Sequence, residues 1–409
     1  MIDRRNFLTG AGATVTMAAT PSFAKASSAL RIALLGDCLF TQGLNHADPN
    51  LAPLLPILRG ADLTVANFEG TLADMNAWAA AIAPDGTPVC GGMNIRGDES
   101  VAGDLSGLGI DMLGTANNHA WDWGPDGIMA TIRKLTAAGL RPTGTGKDLA
   151  AARNPSFCTV KGVRVALIAC ASTFWTGTLA SSSSAQIPGR PGVNPLRFRM
   201  IGEGDGAQSS VDPADLKDLT AVVRSARAEA DIVLISCHTH ESEGDRTNPP
   251  AFLRQFARAC IDAGASAFFS HGPHVLRGID LYRGVPIFYS LGAFIFRARE
   301  MRAQPEEAYD VCGIAERTPE AYFKHISKGW DEDSEFWESV IAQVEIRAGG
   351  VVGVTLTPTI IQHAGAENWG MPALADETRG RAILARLQRL SDSFGTKIMV
   401  SGTTGQLQL

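Results

Sequence analysis

Residues 265–274 read Ala-Ser-Ala-Phe-Phe-Ser-His-Gly-Pro-His, and this stretch decides the fold. Its first half is an apolar run of strand length; its second half breaks into two histidines separated by Gly272 and Pro273. The same grammar recurs along the chain. The run 30–35 (LRIALL) leads into Gly36-Asp37, and 61–66 (ADLTVA) leads into Asn67-Phe68-Glu69-Gly70. The run 110–115 (IDMLGT) precedes Asn117-Asn118-His119, and 231–236 (DIVLIS) precedes His238-Thr239-His240-Glu241. One more run, 163–169 (VRVALIA), has strand length too.

Amphipathic helices fall between these runs. Pro213, after Asp212, opens a pattern with Leu216, Leu219, Val222, Val223 and Ala226 on one face, and Phe252, Phe256 and Cys260 keep i, i+4 spacing up to Gly264. The alternation predicts an α/β sheet with helices on its faces. Residues 341–361 read as two strands joined through Gly349-Gly350, so the sheets should be mixed, and 372–393 read as a terminal helix. In open α/β sheets, ligand sites form outside the carboxyl ends of the strands, which would bring the five polar sequels together in space.

Carboxylates, an amide oxygen and neutral imidazoles, with no thiolate, form a donor set for a hard or borderline divalent cation. Two ions held there could activate water and brace a developing oxyanion. Taken singly, each feature has an ordinary explanation: Gly-Asp is a common turn, Asn-Asn-His can open a helix, and a lone His is usually a satisfied polar residue. Five coincident strand ends are harder to explain that way. Five of the eight histidines fall in these loops, while His46, His325 and His363 stand alone. Asp122 either orients His119 or caps a helix starting near Gly124. Cys38 and Cys237 neighbour the candidate ligands, but strand alternation turns them to the other face as packing residues.

The chain has 409 residues, 45% hydrophobic and 19% charged, which excludes disordered, collagen-like and disulfide-scaffold classes. No segment approaches the roughly 20 apolar residues of a membrane-spanning helix, so no stable membrane span is expected. A net charge of -6 with no basic block argues against nucleic acid as a partner. Residues 1–26 carry Arg4-Arg5 ahead of a Gly/Ala/Thr-rich stretch and read as a twin-arginine export signal, which predicts a periplasmic or secreted protein. The seven cysteines lack CxxC spacing and read mainly as core residues. Residues 27–409 read as one domain, with insertions near 176–210 and 297–338 that have the composition of loops or lids.

Gly36-Asp37, Ala66-Asn67-Phe68-Glu69-Gly70, Ala116-Asn117-Asn118-His119-Ala120 with Asp122, the His238 motif and the run HGPHVLRGIDLYRGVPIFYSLGAFIF at 271–296 resemble the CapA family, named for poly-gamma-glutamate capsule synthesis. That family is similar to calcineurin-like metallophosphoesterases. The resemblance implies a four-layer αββα sandwich of metallophosphoesterase type, with the metal site at the carboxyl ends of the strands. It implies Asp37, Glu69, Asn118, His238, His271 and His274 as ligands of one or two divalent ions (Mn, Fe, Zn or Mg), and His119 as the acid that protonates the leaving group. Asp122 and His240 join His119 as catalytic candidates, and Asn67, Asn117 and Arg277 are candidate substrate contacts. Arg190, Arg197, Arg199 and Arg283 are further rim candidates for substrate carboxylates.

Two positions depart from the expected patterns. Leu39 stands where the metallophosphoesterase pattern expects a His two residues after the first Asp, with His240 a candidate replacement, and Ala293 stands where the CapA family usually carries Asn. The expected function is an exported metal-dependent hydrolase acting on an anionic polymer of poly-gamma-glutamate type or its precursors. The alternatives are a periplasmic metallophosphoesterase taking a small anionic substrate, and a non-catalytic accessory subunit that binds polymer or a polymer synthase complex.

Overall fold

The computed structural model describes residues 29–409 apart from 74–79, 81, 84, 85, 89–91, 176, 202–207, 303, 349, 364, 366 and 367. The twin-arginine segment at 1–26 and Gly349 lie outside the described residues.

The architecture is mixed α/β with two mixed sheets, one of ten strands and one of six. Strand Leu30–Phe40 runs through the larger sheet, parallel to Leu63–Phe68 and to Ala293–Arg297, and antiparallel to Glu338–Arg347. In the smaller sheet, Ile232–His238 is flanked in parallel by Val163–Ala171 and Ala267–His271. Side-chain alternation explains how the sheets stack. Ile32, Leu34 and Val65 face Val165, Leu167, Leu234 and Phe269 in a shared core between the sheets. Their neighbours Ala33, Leu35 and Phe68 point outward beneath the helical residues Leu58, Leu105 and Leu135. On the far side, Ile168, Val233 and Ile235 pack under Leu219, Val223, Phe252 and Phe256. The result is helix, sheet, sheet, helix, the four-layer sandwich that the resemblance implies. Strands covered on both faces have no use for polar residues, which is why they appear in sequence as unbroken apolar runs.

Helix Pro213–Glu229 starts where expected, with the Asp212 side chain accepting from the amides of Ala214 and Asp215 and proline in the first turn. The pair Glu338–Arg347 and Gly350–Ile361 is antiparallel, with Ala342 opposite Leu356. The stretch 372–393 is only partly helical. It opens with strand Pro372–Leu374, and the helix spans Glu377–Ser391, delayed by an Asp376 side chain that caps Arg379. A closing hairpin, Ile398–Ser401 with Thr404–Leu407, extends the larger sheet and was not anticipated.

Among the described residues no helix is long and apolar enough to cross a membrane. The six described cysteines are free, and five are buried. Cys38 and Cys237 pack into the two outer cores, where burial pushes both thiols well up. Segment 297–338 carries helices Glu306–Cys312 and Pro319–Ile326, and its aromatic side chains form a separate cluster with Leu39, Ala293 and Phe296.

Candidate metal centre

Parallel pairing gathers the carboxyl ends of both sheets at one edge. Register puts Asp37 beside Asn67 in the larger sheet and His238 beside His271 in the smaller one. Two glycines permit the close approach. A Cβ on Gly36 would sit 1.7 Å from the carbonyl oxygen of Gly292, so only glycine lets these strands touch there. Gly272 adopts φ +116°, and its N–H donates to Asp37 Oδ2 at 2.8 Å across 235 residues of chain.

Asp37 is fully buried, and its Oδ1 accepts from Asn67 Nδ2 at 2.8 Å. His271 Nδ1 lies 3.1 Å from that oxygen and His238 Nδ1 lies 3.5 Å from it, while His274 Nδ1 is 3.6 Å from Oδ2. Burial alone would raise the Asp37 carboxyl, but the charge of His271 and hydrogen bonds from His238 and His271 outweigh it and hold the group well below the usual carboxylate range. The two rings themselves meet, His238 Nδ1 to His271 Nδ1 at 3.0 Å. At the other ring nitrogen, His238 Nε2 is 2.7 Å from Asn118 Oδ1, 3.0 Å from His240 Nε2 and 3.7 Å from Glu69 Oε1.

Glu69 decides what this cluster suits. Both its oxygens are buried and neither has a hydrogen-bond partner among the described residues. Burial, together with the charges of Asp37 and Asp122, pushes its carboxyl well up. An orphaned buried carboxylate is costly unless a cation relieves it. Three overlapping sets each place their ligand atoms within 4.8 Å of one another: Asp37, His238 and His271; Glu69, His238 and His240; and Asp37, Glu69 and His274. His240 and His274 are held neutral, as ligating imidazoles must be: burial drives His240 well down and His274 down to about 4. His238 is likewise lowered, chiefly by burial. The residues present therefore fit a divalent cation.

The structure brings together every expected ligand. His119 stands beside them, with Nε2 3.9 Å from Glu69 Oε1 and Nδ1 2.8 Å from Asp122 Oδ2. Asp122 thus meets the imidazole; helix Gly124–Ala137 begins after Trp123 with no side-chain cap. Burial raises the Asp122 carboxyl to about 6 in spite of the opposing charge and hydrogen bond of His119.

The candidate substrate contacts are placed differently. The Asn67 amide is engaged by Asp37, and Asn117 Nδ2 donates to Phe68 O at 2.7 Å and to Asn67 Oδ1 at 3.4 Å, so both asparagines support the ligand carboxylate. Arg277 is not at a rim. It is fully buried and donates to the carbonyl oxygens of Arg246 at 2.9 Å and Glu241 at 2.8 Å, with burial lowering its guanidinium to about 10. Its role here is to pin the loop that carries His240. The rim arginines are also engaged: Arg190 with Leu179 O, Arg197 with Asp215, Arg199 with Asp212 and Arg283 with Asp262.

Several supporting residues went unread in the sequence. Ser236 Oγ contacts His271 Nε2 at 2.9 Å and fixes that ring. Thr173 Oγ1 accepts from the His240 amide at 2.8 Å, and Ser172, Thr173 and Thr239 all donate to the Glu241 carboxylate. The one available signal is Ser236 itself, a polar residue inside an otherwise apolar strand.

The family described as "Bacterial capsule synthesis protein PGA_cap" matches residues 31–298, a span that contains every residue of this centre. The chain belongs to that family. Among similar proteins, an uncharacterized protein of Sinorhizobium fredii, y4uA, is 29% identical over 92% of both chains. The capsule biosynthesis protein CapA of Bacillus anthracis is 28% identical over 59% of this chain and 52% of its own length. The PGA biosynthesis protein CapA of Bacillus subtilis is 28% identical over 59% and 55%. Among solved structures, the NAD nucleotidase NadN of Haemophilus influenzae covers 88% of this chain and 56% of its own, at 11% identity and a TM-score of 0.33. TT1561 of Thermus thermophilus covers 65% and 90%, at 10% identity and a TM-score of 0.34. Overlaps this loose do not speak for the site.

Leu39 and Ala293, singled out in the sequence, sit together. Ala293 is the strand partner of Asp37 and Leu39 is the partner of Phe296. Both are buried in the aromatic cluster with Phe336 and Trp337.

Proposed function

We propose that this PGA_cap protein is a metal-dependent hydrolase acting on an anionic polymer of the capsule or poly-gamma-glutamate type, or on its precursors, in the periplasm or outside the cell after twin-arginine export. The observation that carries the reading is Glu69, a buried carboxylate whose two oxygens have no hydrogen-bond partner among the described residues, set among Asp37, His238, His240 and His274. Asp37, Glu69, Asn118, His238, His240, His271 and His274 would hold one or two divalent ions. When bound, a divalent cation polarises the scissile group and makes water more acidic. The chain's own residues supply the rest. His119 faces the ligands through Nε2 and is oriented from behind by Asp122, the arrangement of a general acid that hands a proton to a leaving group. The Asn67–Asp37 and Ser236–His271 contacts hold the ligands in place before any substrate arrives.

The test is elemental analysis of protein purified without chelator, beside Asp37→Ala and His274→Ala. The expected result is at least one equivalent of transition metal, reduced in both variants, together with release of glutamate from the polymer that His119→Ala abolishes while keeping the metal. A His119→Ala protein with full metal and full rate overturns the acid assignment. A second reading, a non-catalytic accessory subunit that binds polymer or a synthase, is favoured by Leu39 and Ala293, aliphatic side chains buried beside the ligand cluster. Metal-loaded protein that releases nothing from the polymer, yet retains a synthase in pull-down, would establish that reading.

A further inference from the structure

The arginines so far described each donate to a carboxylate or a backbone carbonyl. Arg96 is different. Its guanidinium lies 4.0 Å over the ring of Trp123, its Nε is buried without a hydrogen-bond partner, and no carboxylate pairs with it among the described residues. The charge that acts on it is of its own sign: burial, and then Arg302, lowers the Arg96 guanidinium. Arg302 also has a buried Nε without a hydrogen-bond partner among the described residues, and its Nη2 pairs with Asp98 at 3.2 Å.

This juxtaposition is built in. The Asn94 amide donates to Gln304 Oε1 at 2.7 Å, and Gln304 Nε2 donates back to Asn94 O at 3.1 Å, clamping the two arginine-bearing segments together. The same strip is tied to the candidate acid: the Ile95 amide donates to Asp122 Oδ2 at 2.6 Å, Asn94 Nδ2 donates to Asp122 O at 3.0 Å, and Trp123 Nε1 donates to Ile95 O at 3.1 Å. Asp98 offsets the charge of Arg302 on one side, which leaves the Arg96 charge unpaired among the described residues and both buried Nε–H groups without an acceptor, and like charges placed in this way favour an anion between them. A guanidinium flattened against an indole keeps its donor edge oriented, and that fork matches an oxyanion with two oxygens.

We infer that Arg96 and Arg302 form an oxyanion subsite next to the His119–Asp122 pair, which takes a pendant carboxylate of the anionic polymer, the α-carboxylate in a γ-linked glutamate chain. The inference rests on the polymer reading above for the identity of the anion, and on the arginine pair alone for the existence of the subsite. A carboxylate held here anchors the chain of the substrate beside the proton donor, where positioning converts binding into rate.

The experiment is isothermal titration of the full chain, stripped of metal by chelator, with a γ-linked glutamate pentamer and separately with inorganic phosphate. The proteins compared are the parent, Arg96→Gln, Arg302→Gln, the double variant, Arg96→Lys, and Arg381→Gln as a distant control. Each single Gln variant is expected to weaken the pentamer at least tenfold and the double variant to abolish it. Arg96→Lys, which keeps the charge and loses the fork, should recover part of the affinity with an unchanged thermal midpoint, so a folding defect in the Gln variants does not decide the matter. A double variant that binds the pentamer like the parent overturns the subsite and leaves the polymer reading standing. Arginine-dependent binding of phosphate with no binding of the pentamer supports the subsite and overturns the polymer. A parent that binds neither probe overturns the subsite.

Discussion

The two walls of the metal centre are made of opposite materials. On one side, Asp37, Glu69, Asn118, His238, His240 and His271 present oxygens and nitrogens, nearly all buried. On the other, Leu39, Ala293, Phe296, Phe336 and Trp337 present carbon. His274 belongs to both: its Nδ1 is 3.6 Å from Asp37, while its ring lies 5.0 Å from Phe296 and 5.3 Å from Phe336. It adopts φ +54°, a conformation rare for a side chain with a Cβ, and that strain is held by the packing around it. The polar wall determines what can be bound. The apolar wall packs on the His274 ring and offers no donor at Leu39 or Ala293.

The comparison breaks most visibly if the apolar wall is opened. Trp337 is fully buried, with ring centroids 4.8 Å from Phe336, 5.2 Å from Trp369 and 4.7 Å from a stacked His363. Trp337→Ala should lose about 3–5 kcal/mol of stability by chemical denaturation. It should also weaken metal binding, because His274 loses its support through Phe336. Metal affinity unchanged in a protein destabilised by that amount would show that the two walls are independent.

A smaller effect sharpens the same contrast. Leu39→His with Ala293→Asn places donors on the apolar wall and should raise the metal content measured by elemental analysis by one equivalent. Stripped of metal, the variant should be less stable by about 2 kcal/mol, the cost of polar groups placed among aromatic rings without partners. If the metal content does not rise, the carbon wall is not what limits the site.

The polar wall was legible in the sequence and the apolar wall was not, for a physical reason. A ligand at a strand end interrupts an apolar run, so Asp37, Glu69, Asn118, His238 and His271 announce themselves. Phe336 and Trp337 lie in a segment whose composition suggested a lid, and nothing local says that they pack on Phe296 and His274, forty to sixty residues away in the chain. Arg277 was misread because its partners are backbone carbonyls, which every residue carries and no sequence displays. Arg96 gave no signal at all, since its meaning depends on Arg302, brought near by the clamp between Asn94 and Gln304. The sandwich itself was accessible because strands covered on both faces cannot hide their composition. The hairpin at 398–407 escaped because Met399, Val400 and Ser401 are exposed on a short strand and show no burial pattern.

The smallest effect tests the electrostatics of the two walls through opposite signs. In the metal-free protein His274 has a pKa of about 4, against about 6.5 for an unfolded histidine. Between these values the unfolded chain binds the extra proton, so stability falls as pH falls. Asp122 behaves in the reverse sense: its folded value of about 6 lies above the unfolded carboxylate's 3.8, so the folded chain binds the extra proton and stability rises as pH falls through about 6. The two contributions oppose each other in the parent and are separated by substitution. Relative to His274→Gln, the metal-free parent should lose about 1–2 kcal/mol between pH 7 and pH 5; relative to Asp122→Asn, it should gain a similar amount. Denaturant titrations of the three proteins at both pH values measure each difference directly. If both differences have the same sign, burial is not the cause of one of the shifts, and the division between a dry aromatic wall and a charged ligand wall does not hold at the residue that joins them.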